Sequence, residues 1–352
     1  MDSSSNPIKV LIVDDSALYR KIIRDVFAKD PRIEVLATAP NGQIALMKIA
    51  RDCPHLITLD MEMPEMDGLA TLRELKVKFP KVKTIVFSQH SERGAELTLK
   101  ALKLGAVDFV TKPGSGGSLE ENLNAIKSEL LPKVLALQEQ LLRHNKIKPR
   151  RFIQPFPSRP QFAPREVIAI GISTGGPNSL MTLFEQIPAS LKQAILIVQH
   201  MPPLFTNKLA EQLHRVGSLP VHEAVQGEPI LKGKAYIAPG DRHMEVVHDN
   251  GQKFIHLHQG PLENYCRPAV DVLFRSVAEV YGRRAVGVIM TGMGRDGFKG
   301  SQAMKPAGAP IIAQDEATSV VWGMPRFIVE NKIADAVAPL DKMYETIKQF
   351  IL

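Results

Sequence analysis

Three aspartates, a serine and a lysine in the first third of the chain could together accept a phosphoryl group. Asp14 and Asp15 end one apolar run, Asp60 ends another, and Ser88 and Lys112 follow two more. Carboxylate oxygens bind Mg²⁺, a carboxylate can act as a nucleophile, and lysine and hydroxyl groups can bind phosphoryl oxygens. Three crowded carboxylates repel one another unless a cation is present. The pattern predicts a metal-assisted site with Asp60 as acceptor.

A simpler interpretation of the first acidic pair is helix capping. Asp15 or Ser16 could cap a helix over residues 17–28. Capping alone does not account for Asp60, Ser88 and Lys112 at three other strand ends, so we favour the phosphoryl site.

Ser173, His200 and Asp296 in the second half could form a hydrolase triad. Each follows its own apolar run, and Ser173 lies in a glycine-rich turn. Serine needs a base to become a nucleophile, and histidine needs a carboxylate to fix its tautomer. The turn could equally cradle a phosphate or merely pack tightly.

A second histidine pair offers rival bases. His256 and His258 share one face of a presumed strand, and Asp241 or Asp249 could partner His256. No histidine follows Asp296, so the chain order differs from that of α/β-hydrolases. We predict the triad Ser173, His200 and Asp296 on a different esterase fold.

Short β-branched runs alternate with segments of helical periodicity throughout the chain. This alternation predicts an α/β fold with parallel sheets covered by helices, and ligands bind at the carboxyl ends of such strands. A stretch over 227–259 is predicted as short strands and turns. The predicted strands are 8–13, 33–37, 56–59, 84–87, 108–111, 167–172, 194–199 and 285–291.

The 352 residues exceed one typical core and predict two domains. The net charge of +7 equals the seven Lys and Arg between Arg143 and Arg165, a stretch with five prolines and no acidic residue. We interpret this stretch as a solvated linker, which argues against a nucleic-acid partner. No apolar stretch approaches 18 residues and no signal peptide is recognisable, so we expect a cytoplasmic protein without membrane insertion. Cys53 and Cys266 are expected to be buried thiols.

A helical stripe of apolar residues from 119 to 141 could pack on its own domain or pair two chains. Because Pro132 interrupts the stripe, we expect a last domain helix followed by a connector helix.

The motifs VDDSALYRKII, LDMEMPEMDG and VTKP, with a hydroxyl after the fourth strand, resemble a response-regulator receiver domain over residues 7–130. The resemblance implies a flavodoxin-like, five-stranded parallel sheet and phosphorylation of Asp60. It also implies that Mg²⁺ is held by Asp14, Asp15, Asp60 and the backbone carbonyl of Glu62. It further implies that Ser88, Lys112 and Phe109 respond to the phosphoryl group.

Six motifs in the second half resemble the catalytic domain of chemotaxis protein-glutamate methylesterases: GISTGGP, IVQHMPPLFT, YIAPGDRHM, CRPAVDVLF, MTGMGRDG and AQDEATSVVWGMP. We place this doubly wound, mainly parallel domain at 166–352, after a connector helix and linker over 131–165. The resemblance implies hydrolysis of glutamyl methyl esters, and deamidation of glutamines, on cytoplasmic helices of chemoreceptors. It implies oxyanion donors near Thr174 and Met293, no cofactor in the esterase domain, and a chemotaxis histidine kinase as phosphodonor.

Joining the two halves suggests that the unphosphorylated receiver covers the Ser173 cleft and that phosphate on Asp60 releases it. Two alternatives stay open at this point. The second domain could bind a partner or nucleotide without catalysis, or it could hydrolyse a different ester or amide.

Overall fold

A computed structural model gives the structure of the chain and describes residues 7–113, 118–144 and 164–351. The chain divides into two compact units, Met1–Lys146 and Ile147–Leu352. Within the described ranges, no helix combines the length and apolar character that crossing a bilayer needs. The predicted linker between residues 145 and 163 lies outside the described residues.

The first unit is a five-stranded, fully parallel sheet with the strand order β2-β1-β3-β4-β5. This order confirms the predicted receiver fold. Its elements are β1 (Ile8–Val13), α1 (Ala17–Phe27), β2 (Ile33–Ala39), α2 (Gly42–Arg51), β3 (Leu56–Asp60), α3 (Gly68–Lys78), β4 (Lys83–Ser88), α4 (Glu92–Leu104), β5 (Asp108–Thr111) and α5 (Leu119–His144).

Helix α1 begins where the capping pattern predicts. The Ser16 hydroxyl accepts a hydrogen bond from Tyr19 N, so Ser16 rather than Asp15 is the N-cap. Asp15 is thereby left exposed beside buried Asp14. Capping by Ser16 and an acidic cluster at the same strand end are therefore compatible.

Helix α5 runs through Pro132 without a break, unlike the expected pair of helices. Leu130, Val134 and Leu137 on this helix are buried, and Lys133 contacts Asp108 of β5 at 3.3 Å. The apolar stripe thus packs on its own unit, and this packing outweighs the hydrogen bond that proline cannot donate. The predicted domain boundary at 130 falls inside the helix, and the domain division stays a prediction.

The second unit contains a seven-stranded parallel sheet with the order β14-β13-β12-β6-β7-β9-β8 and a separate antiparallel hairpin of β10 and β11. The parallel sheet and the small hairpin confirm the predicted fold. Its elements are β6 (Val167–Ile172), α6 (Gly176–Gln186), β7 (Ala194–Gln199), α7 (Phe205–Val216), β8 (Val221–Glu223), β9 (Ala235–Ile237), β10 (His243–Asp249), β11 (Gln252–His258), α8 (Val270–Tyr281), β12 (Ala285–Ile289), α9 (Phe298–Met304), β13 (Ile311–Gln314), α10 (Met324–Glu330), β14 (Ala336–Ala338) and α11 (Met343–Ile351).

Strand β6 lies in the middle of the seven-stranded sheet, with β12 on one side and β7 on the other. The chain leaves β6 toward β7 and later returns to its other side, so the strand order reverses at β6. Such a reversal opens a crevice at the carboxyl ends of the strands, where ligands bind in open α/β sheets. The residues that follow β6, β7 and β12 share this crevice.

Candidate functional site

Ser173 and His200 follow two strands that pair directly with each other. Ile172 lies opposite Gln199 in the register of β6 and β7, so the next residues on both strands are neighbours, with strands about 4.8 Å apart. The Gln199 amide donates to the Ser173 carbonyl at 3.1 Å and to the His200 carbonyl at 3.3 Å. This amide ties the two strand ends together.

A glycine beyond β12 allows that strand end to approach Ser173. A Cβ built on Gly292 would lie 2.8 Å from Ser173 Cβ and 2.4 Å from Met324 Sδ. Any side chain at this position would have to push the serine away. Glycine at position 292 therefore allows the end of β12 to lie close to Ser173 in the crevice.

His200 is hydrogen-bonded to Asp296 across the crevice. Its Nε2 lies 2.8 Å from Asp296 Oδ2, and both side chains are largely buried. Ser173 Oγ, in contrast, makes no hydrogen bond with any residue of the described ranges. The structure brings the three predicted residues to one edge of the sheet, with the histidine–aspartate pair formed.

Asp296 is held by an unusually large set of donors for one carboxylate. Burial alone would raise the pKa of Asp296, but the hydrogen bond and charge of His200, followed by backbone donors, hold it below its usual value. A carboxylate kept charged in this way can orient an imidazole and stabilise imidazolium. Besides His200, the donors are the N–H groups of Val270, Asp271 and Gly297 and the side-chain amide of Asn264.

A cysteine that the sequence argument did not assign contacts the other side of the imidazole. Cys266 Sγ lies 3.7 Å from His200 Nδ1. Burial opposes a charged imidazole, but the thiolate form of Cys266 and the bond to Asp296 outweigh it and raise the pKa of His200. The expectation that both cysteines are buried was wrong, because Cys266 is half-buried and Cys53 is exposed.

Two backbone N–H groups border the serine at the positions predicted for oxyanion donors. Neither Thr174 N nor Met293 N donates a hydrogen bond to another described residue. Gly175, with φ +76°, adopts the left-handed conformation that turns the chain from Thr174 into α6. Free donors beside a nucleophile suit an oxyanion, and this role stays a prediction.

The rival base His256 is engaged elsewhere. Its Nδ1 lies 3.2 Å from the Gln226 amide, and its ring stacks on His258 at 5.6 Å. The shared face of these two histidines is as predicted. Asp241 forms an ion pair with Arg267 at 2.6 Å. The structure therefore does not assemble the rival set at the Ser173 crevice.

In the first unit, Asp14, Asp60 and Lys112 meet at the carboxyl edge of the sheet. Lys112 Nζ lies 2.9 Å from Asp14 Oδ2 and 2.7 Å from Asp60 Oδ2. Oxygen atoms of Asp14, Asp15 and Asp60 all lie within 4.8 Å of one another. The strand ends thus gather three carboxylates, two of which form ion pairs with Lys112.

The electrostatics of this cluster favour a second cation. Burial raises the pKa of Asp60 to about 6, with Lys112 opposing the rise and the charge of Asp14 adding to it. Burial likewise raises the pKa of Asp14. The buried Asp14 Oδ2 accepts no hydrogen bond of normal geometry from the described residues, although Lys112 is near. An oxygen-only donor set with an unsatisfied buried oxygen fits a divalent ion such as Mg²⁺.

The remaining residues that the resemblance names make contacts outside this cluster. Ser88 Oγ donates to the Gly94 carbonyl at 2.9 Å. Phe109 is buried, and the ammonium group of Lys133 lies 5.3 Å from its ring centroid. The side chain of Glu62 pairs with Arg93 at 3.2 Å. None of these contacts tests the roles that the resemblance implies.

Comparisons with known proteins agree with both halves. A family model described as CheB methylesterase matches residues 168–347, and one described as response regulator receiver domain matches residues 10–124. A "Protein-glutamate methylesterase/protein-glutamine glutaminase" of Trichodesmium erythraeum is 44% identical over 349 residues, covering 96% of this chain and 97% of the relative. A protein of the same description from Pyrococcus abyssi is 42% identical, covering 99% and 94%. The crystal structure of the Thermotoga maritima CheB methylesterase catalytic domain is 41% identical, with a TM-score of 0.53, and covers 54% of this chain and 100% of that one.

Proposed function

The chain belongs to the family of protein-glutamate methylesterases/protein-glutamine glutaminases that carry a receiver domain, and from this membership we propose how its residues perform and regulate the reaction. The activity is hydrolysis of glutamyl methyl esters and glutamine amides, under the control of the receiver. We propose that Ser173 is the nucleophile, His200 the base and Asp296 the group that orients it. The hydrogen bond of 2.8 Å between His200 and Asp296 beside Ser173 is the observation that carries this assignment.

The contacts of His200 determine which nitrogen moves the proton. Nε2 is engaged by Asp296, so Nδ1 takes the proton of Ser173 as Oγ attacks the ester carbonyl. The same nitrogen then returns the proton to the leaving methanol, or to ammonia in deamidation. Water attacks the acyl-enzyme in a second step with the same base and frees the glutamate and the serine.

The developing negative charge on the carbonyl oxygen needs donors that the fold does not already use. Thr174 N and Met293 N meet this requirement among the described residues. One such donor typically contributes about 3 to 4 kcal/mol to the stability of the transition state. We assign the oxyanion to these two groups.

Regulation rests on Asp60 as phosphoryl acceptor. Asp14, Asp15 and Asp60 would hold Mg²⁺, together with the Glu62 carbonyl. The ion, when bound, neutralises charge on the phosphoryl oxygens. Lys112 and the Ser88 hydroxyl bind those oxygens, and Phe109 changes its packing in response.

The partners follow from the family. We propose methyl-accepting chemoreceptors as substrates, through their cytoplasmic helices, and a chemotaxis histidine kinase as phosphodonor, with the protein in the cytoplasm. Phosphate on Asp60 would raise the esterase rate by relieving inhibition by the receiver.

Methanol release from methylated receptors, measured with and without a phosphodonor, tests this function. Ser173→Ala should abolish methanol release while Asp60 is phosphorylated as before. Wild-type protein should respond to the phosphodonor, and Asp60→Asn should not. Release of methanol by Ser173→Ala at the wild-type rate would overturn the assignment of the nucleophile.

A further inference from the structure

A thiol, a base and a carboxylate form a series of consecutive contacts in the esterase crevice. Cys266 Sγ lies 3.7 Å from His200 Nδ1, and His200 Nε2 lies 2.8 Å from Asp296 Oδ2. This order of groups is the one in which an imidazole activates a nucleophile. The hydroxyl oxygen of the predicted nucleophile Ser173 forms no hydrogen bond with a described residue, so the Cys266 thiol rather than this hydroxyl contacts the base in the structure.

Among the described residues that form hydrogen bonds with the Cys266 thiol, only His200 can remove its proton. The sulfur lies 3.5 Å from the Asn264 carbonyl oxygen, which accepts a hydrogen bond but does not take up a proton. His200 can take it up through Nδ1, which lies 3.7 Å from the sulfur. Because thiolate rather than thiol is the nucleophilic form, the contact with His200 makes Cys266 the more reactive of the two cysteines.

The loop that carries Cys266 is fixed by several independent contacts. Glu263 and Cys266 exchange two backbone hydrogen bonds, at 3.1 and 2.9 Å. Glu263 also forms a two-pronged ion pair with Arg275 at 2.6 and 2.7 Å. Asn264 and Tyr265 adopt left-handed backbone conformations with φ of +51° and +63°, which non-glycine residues adopt at a cost. The position of the thiol beside the base is therefore determined by the fold.

We propose that Cys266 is a covalent modification site for small, soft electrophiles, and that a group attached there shuts off the esterase by covering His200 Nδ1. The thiol is half-buried, so a small molecule can reach it. The consequence for hydrolysis rests on the function proposed above, because Nδ1 is the nitrogen assigned to the proton of Ser173.

Reaction of Cys266 with an alkyl halide illustrates which bonds form and break in the modification. The thiol proton moves to His200 Nδ1, and the sulfur electron pair forms a bond to carbon. The carbon–halogen bond breaks, and halide leaves with its electron pair. The products are a neutral thioether, a halide ion and a protonated His200 that releases its proton to water, and the attached group leaves no room for Ser173 at Nδ1.

Iodoacetamide labelling of the full chain, followed by mass spectrometry, tests the site without using esterase activity. Cys53 is the internal reference, since it is exposed and its sulfur lies 3.8 Å from a carbonyl oxygen rather than beside a base. In His200→Gln, which keeps the size of the side chain, labelling of Cys266 at pH 7 should slow by about tenfold. Labelling of Cys53 should not change. An unchanged rate at Cys266 would overturn the proposal.

The effect on hydrolysis is measured in the same samples. Methanol release should fall in proportion to the labelled fraction of Cys266, and the loss should be the same in Cys53→Ser. Cys266→Ser and Cys266→Ala, each compared with its own untreated activity, should keep their activity during treatment. Full labelling with unchanged methanol release would overturn the proposal. Absence of methanol release from untreated wild type would instead reject the proposed function, and the labelling rates would still decide whether His200 activates the thiol.

Discussion

The buried aspartates of the two sites both lie at the carboxyl edge of a parallel sheet, Asp60 as the last residue of β3 and Asp296 in the loop between β12 and α9, and they are held in opposite ways. Asp60 accepts a backbone hydrogen bond from Met61 N at 2.8 Å and shares Lys112 with another carboxylate. Asp296 accepts five hydrogen bonds. Burial raises the pKa of Asp60 to about 6, whereas the donors around Asp296, His200 first, overcome burial and lower its pKa.

The comparison shows that a place at the carboxyl edge of a sheet determines only the position of a carboxylate. The number of donors around it decides what it can do. An acceptor of a phosphoryl group keeps lone pairs free for a metal ion and for the incoming phosphorus, so its negative charge is poorly compensated. A carboxylate that orients a base works best when hydrogen-bond donors occupy all its lone pairs, because a charge fixed in this way holds the imidazole in one tautomer and one ring orientation.

The largest effect that follows from this contrast is on catalysis. Asp296→Asn keeps the shape of the side chain but offers an amide where His200 needs a charged acceptor, which favours the wrong tautomer. The kcat for methanol release should fall by about 10⁴-fold, with little change in KM. Asp335→Asn is a matched control in the same unit, since Asp335 pairs with Lys305 and Ile311 N away from the crevice. A loss of less than tenfold in Asp296→Asn would show that the carboxylate does not orient the base.

An intermediate effect is expected on the pH dependence of stability in the first unit. The pKa of Asp60 is about 6 in the folded state against an ordinary value of 3.8, so the folded state binds more protons between these values. Stability should therefore rise as the pH falls from 7 toward 4, by up to about 3 kcal/mol from this group. Asp296, with a lowered pKa, contributes no such rise in its unit.

Urea unfolding of residues 1–146 between pH 4 and pH 7 measures this contribution. Asp60→Asn should be more stable than wild type at pH 7, and the difference should shrink toward zero near pH 4. Saturating Mg²⁺ should reduce the difference at pH 7, because the ion favours the charged carboxylates. Parallel pH profiles for the two proteins would contradict the raised pKa.

Much of this architecture is predictable because hydrophobic periodicity determines strands, and parallel strands bring their carboxyl ends together. The runs at Val167–Ile172 and Ala194–Gln199 form strands with the predicted bounds, which places Ser173 beside His200. Periodicity was less reliable at strand and helix ends. Strand β12 stops at Ile289, two residues earlier than predicted, and α1 ends at Phe27 rather than at residue 28.

The contacts made by loops could not be predicted in the same way. Asn264 and Cys266 lie in a turn without periodicity, and they contact Asp296 and His200 at separations of 32 and 66 residues. No local pattern encodes how such a turn folds over a strand end. The continuity of α5 through Pro132 is a similar case, since tertiary packing outweighed a local rule.

The smallest expected effect concerns one of the five donors to Asp296. The Asn264 amide donates to Asp296 Oδ1 and to Asp271 Oδ2, both at 2.9 Å. Asn264→Ala removes the hydrogen bond to Asp296, worth about 1.5 kcal/mol, together with the one to Asp271, while four donors to Asp296 remain. The kcat should fall by about tenfold with KM nearly unchanged. Asn331→Ala is the matched control, because it removes an exposed hydrogen bond from a side-chain amide to the Phe327 carbonyl. An equal loss of kcat in both variants would mean that the number of hydrogen bonds to Asp296 does not matter for catalysis.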